Sequence, residues 1–369
     1  MNKIICTVTN DLSFDQRMIR ICTSLSKAGF DVTLVGRSLP SSRPLGAQPF
    51  HQKRLRLLFK KGKLFYLEFN LRLLFLLLFS KFDIVHSVDL DTLLPGFLVA
   101  KLRGKVCVYD AHEYFTEVPE VVERPAVQKT WEKLARFVIP RLKYACTVNQ
   151  GLAEIFQKKY DTRFEVIRNV PWQKPLPARV FYQNNSPFVL IYQGVLNEGR
   201  GLEEAIAAAA LLENVELWLA GEGDLSGPLR LLAEKTGVQH RVRFLGKILP
   251  EELADLTPQA HLGLNLLKNK GLNYYHSLAN KAFDYIQAGL PSLQMDFPEY
   301  RRINETNEVF FLLEKLDPGH IAHAVERLRS DQNLYEKLSA NCREAASIFT
   351  WDREEQALLN FYEKIKKVG

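Results

Sequence analysis

The chain is poor in cysteine and has no long uninterrupted apolar run. Its 369 residues include five cysteines, an odd number without a Cys-x-x-Cys pair, which predicts buried thiols in a reducing compartment. No segment reaches the roughly 18 consecutive apolar residues that a transmembrane helix requires. The residues after Met1 form a strand-like run without the pattern of a signal peptide. We therefore expect a globular protein of the cytoplasm.

Acidic residues are scarce in one segment, and much of the net charge of +7 is concentrated there. Between positions 51 and 82, eight lysines and arginines oppose one acid, Glu68, and leucines and phenylalanines lie between them. Such a segment suits an anionic membrane surface, where each basic residue contributes about 1 kcal/mol. The alternative is a core helix over 64–79 that follows a solvated basic loop. No nucleic-acid-binding motif accompanies the charge, so we expect no nucleic-acid partner.

Strand and helix patterns alternate along most of the chain. This alternation indicates parallel sheets with crossover helices, in a chain too long for one core. Residues 169–177 contain three prolines and are typical of a linker, and the alternation restarts after them. We therefore predict an α/β protein with two tandem doubly wound domains, over 1–170 and 171–351.

The segment 276–291 predicts a helix whose charges oppose its dipole. Ser277 is expected to cap this helix, and a glycine and a proline are expected to end it. Asn280 and Lys281 lie in the first turn, where a cation is unfavourable unless an anion binds the free backbone N–H groups. Asp284 follows one turn later, roughly 6 Å along the helix, where a carboxylate can bind sugar hydroxyls. The segment therefore predicts a nucleotide-diphosphate site.

Two glycine-rich turns follow other strands of the second half. Gly194 ends one strand, and Arg200 stands at the start of the next helix. Gly221 and Glu222 lie in a similar turn. Each turn alone is weak evidence, since a tight turn with a surface arginine explains it equally well. Because all of them fall at the carboxyl edge of one predicted sheet, we expect a common phosphate-binding site.

The second half resembles a known enzyme family in the combination of its motifs. These are Gly194…Arg200-Gly201-Leu202-Glu203, Leu219-Ala-Gly-Glu-Gly223, Val242-Arg-Phe-Leu-Gly246 and Asn280-Lys-Ala-Phe-Asp-Tyr-Ile-Gln-Ala-Gly-Leu-Pro291. Together they look like the donor half of the family 4 retaining glycosyltransferases. The resemblance implies the GT-B fold, in which two Rossmann-like domains face a central cleft. It also implies that a helix over 352–369 packs back on the first domain, although packing on the second domain remains open.

The resemblance assigns roles to the donor side. It implies that Arg200 and Lys281 hold the diphosphate, together with backbone amides, and that Asp284 binds the ribose. The donor-binding residues are then Gly194, Arg200, Gly221, Glu222, His276, Asn280, Lys281 and Asp284. Two positions depart from the family pattern, since His276 replaces a frequent glutamate near the hexose and Val195 replaces a frequent phosphate-binding arginine.

The first half resembles the acceptor domain of the same family more loosely. His112 follows a predicted strand, and in relatives a histidine here lies near the transferred sugar. Its alternative is a histidine that is hydrogen-bonded within its loop. Asp110 and Glu113 are equally well placed at the acceptor side. Asp15 and Arg17 pair with each other or contact the acceptor.

The resemblance implies a retaining hexosyltransferase in which His112, Arg200 and Lys281 are catalytic. We expect a UDP- or GDP-sugar donor, a lipid-linked or glycan acceptor and a role in cell-surface polysaccharide or lipopolysaccharide synthesis. Asp89-Leu-Asp91 is the only Asp-x-Asp motif and lies in the acceptor half, so we expect no metal and no cofactor. We expect peripheral attachment to the inner face of an anionic membrane through residues 51–82. The alternatives are a sugar-nucleotide epimerase of the same fold and a non-catalytic partner subunit.

Overall fold

The structure is a computed structural model that describes residues 2–13, 15–40, 42–177 and 186–366. The chain forms two compact units. Unit 1 consists of Met1–Asn169 and Arg353–Gly369, and unit 2 consists of Val170–Asp352. Residues 367–369 of the predicted terminal helix lie outside the described residues.

Unit 1 is built on a seven-stranded parallel sheet. Its strands are β1 (Lys3–Thr7), β2 (Asp31–Arg37), β3 (His51–Leu55), β4 (Ile84–Val88), β5 (Val106–Ala111), β6 (Tyr144–Thr147) and β7 (Glu165–Val166). The helices between these strands are α1 (Gln16–Lys27), α2 (Gly62–Phe79), α3 (Asp89–Leu102), α4 (Pro119–Val122), α5 (Pro125–Val138) and α6 (Gln150–Tyr160). The strand order is β3-β2-β1-β4-β5-β6-β7. The order therefore reverses between β1 and β4, where open α/β sheets bind ligands.

Unit 2 repeats this plan with a six-stranded parallel sheet. Its strands are β8 (Phe188–Gln193), β9 (Val215–Ala220), β10 (Val242–Gly246), β11 (Leu262–Asn265), β12 (Ser292–Met295) and β13 (Phe310–Leu313). Its helices are α7 (Leu202–Ala210), α8 (Ser226–Lys235), α9 (Pro250–Leu256), α10 (Gly271–Tyr275), α11 (Asn280–Gln287), α12 (Pro298–Asn307), α13 (Pro318–Ser330) and α14 (Gln332–Ala345). The strand order is β10-β9-β8-β11-β12-β13, so its reversal lies between β8 and β11.

The last helix, α15 (Trp351–Lys366), begins in unit 2 and continues in unit 1. Leu358, Phe361, Tyr362 and Ile365 are buried on one face of this helix. Within unit 1, the Tyr362 hydroxyl lies 2.7 Å from His86 Nδ1 on β4. Most of α15 is therefore part of the first unit.

The predicted fold class is confirmed, since both units are parallel α/β sheets with helical connections. All five cysteines are free and buried, as expected for small apolar side chains. Among the described residues, no helix is long and apolar enough to cross a bilayer.

Candidate functional site

The turns after β8 and β9 are joined by backbone hydrogen bonds. The Gly194 N–H donates to the Ala220 carbonyl at 3.0 Å, and the Leu196 N–H donates to the Glu222 carbonyl at 3.2 Å. A Cβ atom on Gly221 would lie 1.8 Å from the Gly194 carbonyl oxygen. Only glycine fits there, so the two predicted glycine turns form one continuous surface at the carboxyl edge of the sheet.

Arg200 lies between two glycines that have left-handed backbone conformations. Gly199 has φ +81° and Gly201 has φ +67°, and a Cβ on Gly201 would lie 2.1 Å from the Leu266 carbonyl oxygen. Gly201 is also the N-cap residue of α7, which has no side-chain cap. The Arg200 guanidinium carbon lies 5.0 Å from the centre of the Tyr274 ring. The turn thus fixes a cation beside an uncapped helix start.

Lys281 is a buried cation beside the same turn. Lys281 is only 9% exposed, and its Nζ lies 3.7 Å from the centre of the Tyr192 ring. A Cβ atom on Gly194 would be 3.5 Å from this nitrogen. Burial, followed by the charge of Arg200, holds the pKa of Lys281 well below its usual range, although Asp284 acts in the opposite direction. Lys281 is in no ion pair with a described residue. An anion bound here would favour the charged ammonium.

The start of α11 differs from the prediction. Ser277 does not cap the helix, because residues 277–279 are not helical and α11 begins at Asn280. The N-cap residue is Ala279, without a side-chain cap, and its N–H donates to the Tyr300 hydroxyl at 3.0 Å. Asn280 is exposed in the first turn, as predicted. This arrangement leaves the helix start without a competing side-chain oxygen.

Asp284 is oriented by a chain of two hydrogen bonds. The Gln193 amide nitrogen donates to Asp284 Oδ2 at 3.0 Å, and the Thr257 hydroxyl donates to the Gln193 amide oxygen at 2.8 Å. Gln193 is the last residue of β8 and is buried. The structure therefore places Asp284 at the β8 end of the sheet, on the same helix as Lys281.

The remaining donor-side residues lie around this centre. His276 is the C-cap of α10, and its ring centre is 5.1 Å from that of Tyr275. Glu222 is exposed and accepts a short hydrogen bond from the Ser226 hydroxyl. Val195 is exposed beside Gly194.

The carboxylate of Asp110 is the centre of the polar network in unit 1. Asp110 Oδ1 accepts a hydrogen bond from Arg17 Nη2 at 2.9 Å. Asp110 Oδ2 lies 3.0 Å from His112 Nε2 and 3.3 Å from His86 Nε2. Burial disfavours the carboxylate, but the charge of Arg17 and the bonds from the two histidines hold the pKa of Asp110 well below its usual range.

This network corrects the interpretation of Arg17 and Asp15. Arg17 pairs with Asp110 and donates to the Ile167 carbonyl at 2.8 Å, so it does not pair with Asp15. Asp15 instead caps α1, where Oδ1 accepts from the Met18 N–H at 3.0 Å. Arg17 and Asp110 are both buried, which leaves them no surface for direct contact with an acceptor.

His112 is the member of this network that reaches the surface. The His112 side chain is 18% exposed. The backbone N–H of His112 donates to Asp89 Oδ1 at 2.9 Å. The loop alternative is partly right, since the ring bonds to Asp110 two residues away. Burial, followed by the charges of Glu113 and Asp91, raises the pKa of Asp89 well above its usual range. Glu113 is half-buried in this acidic surrounding.

Asp91 is a buried acid whose only sequence signal is its place in the Asp89-Leu-Asp91 motif. The Thr9 hydroxyl donates to Asp91 Oδ2 at 2.7 Å, while Oδ1 is buried without a hydrogen-bond partner among the described residues. Burial raises the pKa of Asp91 to about 6, although the Thr9 hydroxyl opposes the shift. In the described part of the chain, no group of three or more His, Cys, Asp or Glu side chains is arranged to hold a metal ion.

Several site residues escaped the sequence analysis because they are aromatic or follow no motif. Tyr192 and Tyr274 support the two cations of unit 2, and His86 shares the Asp110 carboxylate in unit 1. The position of two of them indicates a site, because Tyr192 lies in β8 and His86 lies in β4. These strands are next to the two reversals of strand order.

Helix α2 presents two apolar faces, one of which is exposed. The buried face consists of Phe65, Phe69, Leu73 and Leu77, and the exposed face consists of Leu64, Leu67, Leu71, Phe75 and Phe79. The exposed residues are 46–86% accessible and follow helical spacing. The acid Glu68 is bonded by the Leu58 and Phe59 N–H groups. One face of residues 64–79 therefore packs in the core, and the other face forms an apolar surface.

Comparison with known proteins agrees with this architecture. The model of Glycosyltransferase Family 4 matches residues 16–170, and that of Glycosyl transferases group 1 matches residues 179–345. The lipopolysaccharide core biosynthesis glycosyltransferase LpsD of Rhizobium meliloti is 28% identical over 53% of this chain and 55% of its own. The chain thus spans about half the length of the curated relatives it matches.

Solved structures of low sequence identity share the fold over the whole chain. Sucrose-phosphate synthase from Thermosynechococcus elongatus has a TM-score of 0.83 at 17% identity, with all of both chains covered. HepE of Anabaena, in complex with UDP-glucose, has a TM-score of 0.72 at 14% identity, with 99% and 100% covered. The two family models together match most of the sequence, and the fold is GT-B. The chain therefore belongs to the family 4 and group 1 glycosyltransferases.

Proposed function

We propose that unit 2 binds the diphosphate of a sugar nucleotide through Arg200 and Lys281. The observation that carries this proposal is the buried Lys281 ammonium, whose pKa is lowered and which is in no ion pair with a described residue. A diphosphate would pair with both cations and with N–H groups at the uncapped starts of α7 and α11. Asp284, held by Gln193, would accept hydrogen bonds from the ribose.

The proposed reaction is transfer of a hexose to an acceptor hydroxyl with retention at the anomeric carbon. As the glycosidic bond breaks, negative charge accumulates on the leaving diphosphate. Arg200 and Lys281 would stabilise this charge. Stabilisation by groups that are already in place is usually the largest single contribution to enzymatic rate enhancement. In unit 1 we assign His112 a catalytic role and Asp110, with Arg17, the role of orienting its ring.

We place this activity in the synthesis of a cell-surface polysaccharide or lipopolysaccharide. LpsD is named for lipopolysaccharide core biosynthesis, and the HepE structure contains UDP-glucose. The exposed face of α2 and the basic residues around it support an acceptor at an anionic membrane surface. We propose a UDP- or GDP-sugar donor and a lipid-linked or glycan acceptor.

Release of nucleoside diphosphate from a panel of UDP- and GDP-sugars tests the transferase proposal. We expect release with one donor, stimulated by a membrane extract that supplies acceptor. Conversion of the sugar without release of nucleoside diphosphate would instead support an epimerase. If no donor gave either nucleoside diphosphate release or sugar conversion, the chain would be a non-catalytic partner subunit.

Vesicle sedimentation tests the membrane part of the proposal. Vesicles of phosphatidylcholine with phosphatidylglycerol should bind the chain, and those of phosphatidylcholine alone should bind it less. Substitution of Leu71 and Phe75 by serine should weaken binding at least tenfold, because each large apolar side chain contributes about 1.5–3 kcal/mol when buried. Serine at Leu211 and Leu231 of unit 2, which are more exposed than Leu71 and Phe75, is the matched control.

A further inference from the structure

Unit 1 contains a basic pocket whose role has not been assigned above, although two of its cations belong to the basic segment 51–82. The pocket has a volume of about 240 Å³, and its walls include the cations Arg37, Arg56 and Lys60. Arg37 is the last residue of β2, and Arg56 directly follows β3. The two strands are parallel and paired, so the pocket lies at the carboxyl edge of the sheet, where this fold class binds ligands.

The three cations of this pocket lie outside ion-pair distance of the described carboxylates, although the charge of Arg37 acts on the pKa of Asp91 in the downward direction. Arg37, Arg56 and Lys60 form no ion pair with any described residue, and Arg37 Nε is buried without a hydrogen-bond partner among those residues. Arg54 provides the contrast on the same strand, since it pairs with Asp11 at 2.7 Å. The charges that line the pocket are therefore available to a ligand.

The guanidinium of Arg37 is held in place by packing. Its central carbon lies 4.7 Å from the centre of the Phe65 ring, and Phe65 is buried on the inner face of α2. A fixed, planar guanidinium is suited to bidentate binding of phosphate oxygens. The pocket volume equals about eight water molecules at roughly 30 Å³ each, which is room for a phosphate or diphosphate group.

The apolar walls of the pocket indicate what carries this phosphate. Leu39, Leu57 and Phe59 line it together with the cations. Phe59 is also exposed, and its N–H donates to Glu68 of α2, which holds this wall against the helix. The apolar wall therefore lies beside α2, the helix that carries the exposed apolar face. A ligand that matches both parts has an anionic head and an apolar tail.

A second basic pocket, of about 320 Å³, lacks these properties. It lies at the opposite edge of the sheet, beside the amino ends of β5 and β6. There Lys105 pairs with Asp83 at 2.8 Å, and Arg141 donates a short hydrogen bond to the Phe137 carbonyl. Two of its cations are thus bonded within the protein, and it lies away from the carboxyl edge of the sheet, so it gives no comparable evidence for an anionic ligand.

We propose that the pocket of Arg37, Arg56 and Lys60 binds the phosphate or diphosphate group of a lipid-anchored acceptor. This inference rests on the proposed function and names its acceptor class. The cations hold the phosphate at the carboxyl edge of the unit 1 sheet, and the lipid lies along the exposed face of α2. The acceptor sugar is thereby delivered to the edge at which His112 reaches the surface.

Calorimetric titration with farnesyl diphosphate, a soluble prenyl diphosphate, tests this site. The full chain is first saturated with UDP, so that a UDP-binding donor site does not contribute. We expect the double variant Arg56→Ala/Lys60→Ala to bind farnesyl diphosphate at least tenfold more weakly. The variant Lys53→Ala/Lys81→Ala removes the same charge from the same segment outside the pocket, and its affinity should change less than twofold. The UDP affinity of each variant checks its folding.

Three outcomes would overturn the assignment. They are no binding of farnesyl diphosphate to the unchanged chain, equal losses in the two double variants, or equally tight binding of glucose 1-phosphate. The last would assign the phosphate to a sugar instead of a lipid. Failure to bind UDP in the first step would exclude a UDP-sugar donor, and failure to bind GDP as well would refute the proposed donor site. In either case the farnesyl diphosphate titration would still report on the pocket.

Discussion

The ammonium nitrogen of Lys281 lies 3.7 Å from the centre of the Tyr192 ring, and both residues are buried. The electron-rich ring face attracts a cation. Burial and the nearby Arg200 nevertheless hold the pKa of Lys281 well below its usual range, so the charged ammonium remains destabilised in the free protein. The chain tolerates this cost at the carboxyl edge of the sheet, where a ligand of opposite charge would remove it.

Replacing Lys281 by methionine should separate ligand affinity from stability. We expect the dissociation constant of UDP to rise at least tenfold, because a charge-assisted hydrogen bond contributes about 1.5–3 kcal/mol. The free protein should become more stable by about 1 kcal/mol, since an apolar side chain of similar length replaces a buried cation. Calorimetry and urea unfolding measure the two effects.

The exposed Lys235 of α8 is the matched control for this substitution. Its replacement by methionine should leave both the UDP affinity and the stability nearly unchanged. Unchanged UDP affinity in the Lys281 variant would show that the diphosphate site has been placed wrongly.

The UDP affinity of the unchanged protein should fall at alkaline pH. The pKa of Lys281 is lowered in the free protein, and a bound diphosphate raises it. Binding therefore takes up a proton between these two pKa values, and affinity decreases as the pH rises through that window. Below the free-state pKa the ammonium is already charged, and this dependence disappears. The methionine variant should show a flat profile in titrations between pH 7 and 8.5, below the pH at which the uracil ring of UDP itself ionises.

The donor segment shows what its sequence could predict and what it could not. Lys281 and Asp284 could be assigned to one helix face from spacing alone, and the structure places both at the β8 end of the sheet. Local capping preferences favour serine and therefore predict Ser277 as the cap. In the structure the helix begins at Asn280 without a side-chain cap, and the Ala279 N–H donates to the hydroxyl of Tyr300, 21 positions along the chain. Contacts of this kind depend on packing between elements, which leaves no local pattern.

Replacing Asp110 by asparagine should strongly destabilise unit 1. The substitution leaves the buried Arg17 without its counter-charge, and breaking a buried ion pair in this way costs about 3–5 kcal/mol. The pKa of Asp110 is depressed below its unfolded value, so its stabilising effect is present above about pH 4 and is lost as the pH falls through the folded pKa. The difference between variant and unchanged protein in urea unfolding should therefore shrink in strong acid.

An exposed ion pair of the same unit provides the comparison. Lys364 lies 2.9 Å from Glu165, and both side chains are accessible. Replacing Lys364 by alanine should cost less than about 1 kcal/mol. Equal costs for the two substitutions would contradict the structural role given to the Arg17–Asp110 pair.

Replacing Asp91 by asparagine should change the unfolding free energy with a pH dependence opposite to that of the Asp110 substitution. Burial raises the pKa of Asp91 to about 6, above its unfolded value, so ionisation makes folding less favourable as the pH rises from 4 to 6. The neutral amide avoids this cost and can still accept from the Thr9 hydroxyl. We expect the variant to gain roughly 2–3 kcal/mol relative to the unchanged protein between pH 4 and 7. A constant difference across this range would mean that Asp91 ionises as an ordinary exposed carboxyl group.

The acidic residues of unit 1 also show a limit of motif reading. Asp89 and Asp91 were examined as a metal motif, whereas their surroundings make them acids with raised pKa values. His112 was placed correctly at a strand end, but its orienting partners could not be assigned. Arg17 reaches Asp110 across 93 positions of the chain, a distance over which spacing carries no information.

Alanine substitution at two glycines of unit 2 should change the unfolding free energy in opposite directions. Alanine at Gly201 would require a left-handed backbone conformation at φ +67° and would place Cβ 2.1 Å from the Leu266 carbonyl oxygen. We expect a loss of at least about 2 kcal/mol in unfolding free energy. Because relief of the overlap moves the start of α7 and with it Arg200, the UDP affinity should also fall.

Alanine at Gly227 is the matched control, since its Cβ would meet no atom within 4 Å and Gly227 lies in α8. It should stabilise the chain by up to about 1 kcal/mol, because alanine favours the helix more than glycine does. The UDP affinity of this variant should not change. If both variants lost UDP affinity equally, the effect would reflect the stability of unit 2 as a whole, and the specific support of Arg200 by Gly201 would be refuted.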